Sequence, residues 1–100
     1  MIDLCAAYLC LAIDGDTIRA VSQRLRIENI DAPERHCQGW LEAKDRLQQL
    51  LHRPRITITV HGRDRYNRPL IRLSSDGTDF GEILISEGHA TRWPERAPCR

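Results

Sequence analysis

Three short polar segments hold the residues whose types and spacing suit chemistry. Asp14-Gly15-Asp16-Thr17 is a tight turn that presents a carboxylate at the start of a strand. Arg26 leaves a strand ahead of two acids in Asp31-Ala32-Pro33-Glu34. Arg63-Asp64-Arg65-Tyr66-Asn67-Arg68 is a dense basic turn with one aromatic ring. Two or three carboxylates brought together repel one another, and something must neutralise them at neutral pH. A hard cation such as Ca²⁺ does so with carboxylate, carbonyl and water oxygens. It also polarises a phosphoryl oxygen and orients a water. Two arginines opposite hold a phosphate and its added transition-state charge, and a further acid activates the water. Together these are the parts of a phosphodiesterase.

Taken singly, each segment has a plainer reading. Asp-Gly-Asp is common at hairpin turns, where Asp serves backbone hydrogen bonding. An Asp-x-Pro-Glu run is a turn with solvated acids, and the basic segment a solvated hairpin whose ion pairs contribute little. The order and spacing of all three favour the chemical reading.

The elements that must position these segments follow from periodicity. Residues 4–13 form an apolar run closed by the Asp-Gly-Asp turn. Thr17 to Val21 and Arg24 to Ile30 read as two strands; in the second, Leu25 and Ile27 alternate with Arg26 and Glu28. Pro33 ends it for want of an N–H donor. From Gly39 the period changes. Trp40, Ala43, Leu47, Leu50 and Leu51 make one apolar stripe on a helix, with Trp40 read as core, and His52-Arg53-Pro54 stops it. Ile56, Ile58 and Val60 alternate as a strand, and Leu70 to Leu73 make another. Thr78 is placed to cap a short helix carrying Phe80, Ile83 and Leu84, ended at Gly88. The order β-β-β-α-β-β-α is mainly β with helices (α+β) and suits a small closed barrel better than a parallel sheet.

Composition bounds the answer. One hundred residues make one domain, and 41% hydrophobic with 29% charged residues excludes disorder. The net charge of +1 selects no partner. Fourteen of the fifteen basic residues are Arg, whose planar fork matches phosphate; a genome rich in Arg codons explains that equally well. Cys5, Cys10, Cys37 and Cys99 are too scattered for a zinc ribbon. Cys5 and Cys10 read as small core hydrophobes, whereas Cys37 and Cys99 are open to pairing if the protein is exported. None of the four His residues has zinc-type spacing. No run is long enough for a membrane helix, and the N-terminus lacks a signal peptide's basic start. The expected compartment is the cytoplasm, or the periplasm or exterior if a signal has been removed.

With these blocks in order, the sequence resembles the staphylococcal nuclease (thermonuclease) family, whose pattern runs DGDT, then R-x-x-x-x-D-x-P-E, then D-[KR]-Y-x-R. They stand here as Asp14–Thr17, Arg26–Glu34 and Asp64–Arg68, and the segment Asp76–Ala90 fits as well. The resemblance spans residues 8–91. It implies a five-stranded OB-fold Greek-key barrel over residues 1–91, with an irregular tail over 92–100. It also implies one Ca²⁺ ion on Asp16, Asp31 and the backbone carbonyl of Ala32. Glu34 is then the acid that positions or deprotonates the attacking water, and Arg26 and Arg68 are the two phosphate clamps. Arg65 and Tyr66 contact a terminal phosphate. The implied reaction is hydrolysis of DNA and/or RNA at the 5′ P–O bond to leave 3′-phosphates, by a monomer without a membrane role.

The sequence departs from the family pattern at two places. Asn67 stands where the family has Gly between Tyr and Arg, which Asn's tolerance of left-handed turns accommodates. The chain reaches Arg100 without the third helix and further tyrosines of longer members, so weaker substrate affinity is expected. Trp93 reads as a cover for the barrel, with a base-stacking surface as the alternative. The competing functional class is a non-catalytic OB module that binds nucleic acid or protein, but such a module has no need of mutually repelling acids.

Overall fold

The Asp14-Gly15-Asp16 turn sets the first hairpin. In the computed structural model, which describes residues 10–99, β1 (Cys10–Asp14) runs into this turn and β2 (Thr17–Ala20) runs out of it, paired antiparallel. Gly15 is required there by close approach. A Cβ on it would lie 2.7 Å from the Ala43 Cβ and 2.9 Å from the Ala32 Cβ. The turn is thereby pressed between the helix and the segment that carries Asp31.

β3 (Gln23–Ile27) pairs antiparallel with β2, and its Leu25 and Ile27 point into the core as the alternation predicts. After β4 (Ile30–Asp31), helix α1 (Trp40–Leu50) buries Ala43, Leu47 and Leu50. The long hairpin of β5 (Ile56–Arg63) and β6 (Pro69–Ser75) follows, and β6 pairs parallel with β3. β7 (Thr78–Asp79) adds to β6, α2 (Phe80–Ser86) seals the core with Phe80 and Leu84, and β8 (Thr91–Arg92) returns to pair with β4. The main sheet runs β1-β2-β3-β6-β5, with β7 attached to β6. This is an α+β architecture with a mixed sheet. The buried cluster joins Ile18, Ile27, Ile71 and Leu73 of the sheet to Leu47 and Leu50 of α1 and Phe80 and Leu84 of α2.

Several expectations need correction. Among the described residues three two-residue strands, β4, β7 and β8, accompany the five longer ones, so more strands are present than in the simple order read from periodicity. Such strands are too short to show an alternation. The α2 cap is Asp79, whose side chain accepts the Glu82 N–H at 3.0 Å, and not Thr78. Trp40 is only half-buried, because its indole N–H reaches out to Asp14. Val60 is 63% exposed: β5 ends the sheet, and its far half leaves the core. The part of the 4–13 run that precedes Cys10 lies outside the described residues, as does Cys5. Cys10 is buried but disulfide-bonded, so it is more than a small hydrophobe.

Cys37 and Cys99 are also joined by a disulfide, with Cα atoms 4.8 Å apart across 62 residues of sequence. Residues 93–98 hold no helix or strand, yet this bond and the β4–β8 pairing hold them against the body. No helix among the described residues is long and apolar enough to cross a membrane.

Candidate active site

A cavity of about 500 Å³ opens where the β1–β2 turn, β3, the loop after β4, the β5–β6 turn and the tail meet. Of the residues selected from the sequence, Asp16, Arg26, Asp31, Glu34, Arg65, Tyr66 and Arg68 all line it. Ala32 lies beneath them, 2% exposed.

Asp16 sits at the foot of β2, where the pressed turn buries it. Its carboxylate accepts hydrogen bonds from the Thr17 hydroxyl at 3.0 Å and the Ala32 N–H at 2.8 Å. Burial pushes the Asp16 carboxyl above the ordinary aspartate range, although Arg26, the Ala32 N–H and Thr17 all oppose that shift. Arg26 is the hub of the acid side. Its Nη2 lies 3.5 Å from Asp16 and 3.3 Å from Asp31, and its Nη1 donates to the carbonyls of Ile27 and Ile30. None of these contacts uses its Nε–H. Asp31 also accepts the Ala97 N–H at 2.7 Å and lies 3.5 Å from Arg96.

Glu34 stands apart in the loop before α1. It is exposed, and its carboxylate has no hydrogen bond or ion pair among the described residues. Across the cavity, the β5–β6 turn is built around Asp64. One Asp64 oxygen accepts the N–H groups of Tyr66 and Arg68, both at 2.9 Å, and the other accepts the Arg68 Nε–H at 2.7 Å. Burial raises the Asp64 carboxyl, but these hydrogen bonds outweigh it and hold the group below its ordinary range. Asn67 completes the turn with φ 64°, the left-handed conformation its amide tolerates. Arg68 is thus aimed by its Nε, while both Nη groups have no protein acceptor among the described residues. Arg65 and Arg68 flank the exposed Tyr66 ring at 5.0 and 5.5 Å.

Asp64 and Asp14 stand in the motif blocks without an assigned role, Trp93 had a place in the site only as the alternative reading, and Arg96 was missed. Asp64 read as a surface ion-pair partner. Its spacing to the N–H groups two and four residues on is the usual signal of an Asx-type turn. Asp14 lines the cavity, steadied by the Trp40 indole at 2.6 Å. Trp93, expected to cover a barrel, is 48% exposed and lines the cavity between Arg26 at 5.8 Å and Arg96 at 5.6 Å. Arg96 carried no local signal at all.

Asp64→Ala should lower any turnover that depends on Arg68 by roughly 10-fold or more, because an unaimed guanidinium loses preorganisation. Asp64→Asn keeps one acceptor and should fall between. Equal activity in all three proteins would show that the turn is not what aims Arg68.

The family model described as staphylococcal nuclease homologue matches residues 24–98. An "Uncharacterized endonuclease" of Escherichia coli O157:H7 is 32% identical over 83 residues, covering 78% of this chain and 54% of that protein. The "Probable staphylococcal-like nuclease CAN4" of Oryza sativa subsp. japonica is 33% identical over 76 residues, 76% of this chain and 15% of that protein. The "Staphylococcal-like nuclease CAN1" of Arabidopsis thaliana is 24% identical over 97 residues, 94% of this chain and 30% of that protein. The chain therefore spans about half the length of the bacterial relative and less of the plant ones. With three quarters of its residues inside the family match and the motif residues gathered on one cavity, the chain belongs to the staphylococcal nuclease family.

Proposed function

We propose that this domain is a phosphodiester hydrolase that cleaves DNA and/or RNA at the 5′ P–O bond, leaving 3′-phosphates, with one Ca²⁺ ion. The observation that carries the reading is the division of one cavity into two sides. Asp16 and Asp31 supply hard oxygens on one, and Arg68 offers Nη–H donors with no acceptor among the described residues on the other, with Glu34 at the rim. The nuclease names of the relatives agree with it. A five-stranded OB barrel over residues 1–91 is the scaffold we infer, with 92–100 as a tail.

The donor chemistry suits a hard cation. Asp16 is costly to hold as an anion at its depth, and a second carboxylate lies on the same guanidinium. Among the described residues no group of three or more His, Cys, Asp or Glu side chains is arranged to hold a metal, so the Ala32 carbonyl and water complete the proposed set. A bound Ca²⁺ supplies Lewis-acid polarisation of a phosphoryl oxygen. The chain's own residues do the rest. Arg26 and Arg68 hold the phosphate and balance its growing charge. Glu34, exposed and with no partner among the described residues, positions or deprotonates the water. Arg65 and Tyr66 contact a terminal phosphate. The Cys37–Cys99 bond favours an oxidising compartment over the cytoplasm.

The test is cleavage of labelled single-stranded and duplex DNA and of RNA with Ca²⁺, with EDTA, and with Arg68→Ala. Cleavage that needs Ca²⁺ and disappears in the variant is expected. Binding without cleavage by the folded protein would replace this reading with the binding module.

Asp16 also makes a stability prediction. Its pKa is raised in the folded state, so the stability from its neutral form is present below the unfolded pKa and lost as pH rises through the folded value. At neutral pH in EDTA the buried anion is therefore a cost. Asp16→Asn should raise Tm there while ending Ca²⁺-dependent turnover; a lower Tm would mean that its bond to Arg26 outweighs the burial.

A further inference from the structure

β2 and β3 carry a like-charged pair that the fold does not explain. Their register sets Arg19 directly opposite Arg24, and both side chains are exposed. Like charges opposed across a ladder destabilise a hairpin. Three other exposed arginines that lie on or beside strands are matched with acids: Arg55 meets Asp76, Arg72 meets Glu28 and Arg92 meets Glu82. Arg19 and Arg24 have no such partner among the described residues.

The same register ties this pair to the cavity. Thr17 opposes Arg26 one step along, so Arg19, Arg24, Thr17 and Arg26 share one face of the sheet. Arg24 lies two residues, roughly 7 Å, from Arg26 along the strand. The acid next on that face, Glu28, is already taken by Arg72 at 2.8 Å and His61 at 2.5 Å. Beyond Arg26, which Asp16 and Asp31 hold, this face leads out of the cavity to Arg24 and Arg19, neither of which meets an acid among the described residues.

We propose that Arg19 and Arg24 bind the phosphate backbone of a nucleic-acid strand beyond the scissile phosphate, extending the site outward along β2 and β3. The inference rests on the proposed nuclease reading and deepens it. A flanking polyanion relieves the Arg19–Arg24 repulsion, so affinity grows with strand length. Each phosphate neutralised on a single strand releases condensed counterions and adds about 0.7 to the slope of log K against log salt.

The test measures binding of single-stranded oligonucleotides of 3 and 12 residues, over a series of salt concentrations, by the full chain. The proteins compared are the wild type, the double variant Arg19→Gln/Arg24→Gln, and Arg53→Gln. Arg53 is exposed, lies in the loop after α1 and does not line the cavity, so it controls for lost charge. The double variant should lose at least 5-fold in affinity for the 12-mer, lose less for the 3-mer, and flatten the salt slope by about 1.4. Arg53→Gln should follow the wild type. Arg24→Glu, which gives Arg19 a cross-strand partner, should raise Tm while weakening the 12-mer, a pairing of effects that a purely structural role would not produce. An unchanged salt slope, or an equal loss with Arg53→Gln, overturns the proposal. A wild-type protein that binds and cleaves no nucleic acid instead overturns the nuclease reading on which it stands.

Discussion

Arg26→Ala is expected to cost both turnover and stability, whereas Arg68→Ala should cost turnover alone. On the proposed reaction each loses one donor to the phosphate, and removal of such a donor lowers turnover by roughly 10²–10³-fold. The difference lies in what each side chain leaves behind. The Arg26 side chain is 12% exposed and stands between Asp16 and Asp31, themselves 9% and 13% exposed. Taking it away leaves the buried Asp16 and the partly buried Asp31 carboxylates facing each other and frees the Ile30 carbonyl from its 2.8 Å bond. Breaking a buried pair from one side costs on the order of 3 kcal/mol. Arg68 and Asp64 are 30% and 16% exposed and water can replace the lost bond, so that change should cost about 1 kcal/mol or less. Calorimetry in EDTA beside kinetics in Ca²⁺ separates the two. If Arg26→Ala melted like the wild type, the acids would not depend on that guanidinium. Read from its strand position alone, Arg26 is a side chain leaving a surface and its loss should spare the fold; its burial reverses that expectation.

The second large effect is expected from Cys99→Ser. The Cys37–Cys99 bond closes 62 residues of chain, and the loop-entropy account gives such a closure about 4 kcal/mol. Strain and residual structure usually reduce this, so a loss of about 2–4 kcal/mol is expected. For a domain of this size that is a fall in Tm of roughly 10–20 °C. The substitution isolates this bond better than a reductant does, because Cys10 is disulfide-bonded as well. Freed of its anchor, the tail should release the Ala97 N–H from Asp31 and carry Trp93 and Arg96 away from the cavity. Substrate affinity should then fall more than the rate at saturation. A Tm within two degrees of the wild type would show that the β4–β8 pairing holds the tail unaided.

The sequence by itself determined those features whose cause is local. Alternation marked Leu25 and Ile27 as core, and the three- and four-residue steps of Ala43, Leu47 and Leu50 marked the buried face of α1, since each pattern reports which side of one element meets the interior. The three motif blocks named most of the cavity lining because their side chains were too polar for a core and too ordered in spacing for plain surface. Only the tertiary structure decided what depends on approach between distant segments. Trp40 matched its helix stripe yet turned part of its ring to Asp14, 26 residues away. Val60 kept its alternation yet lost its cover, because β5 ends the sheet. The pairing of Cys37 with Cys99, the return of the tail onto Asp31 and the sinking of Arg26 between two acids have no periodicity to announce them. They arise where β3, β4 and the tail converge, and a disulfide or ion pair forms only if folding has already brought its atoms within a few ångströms.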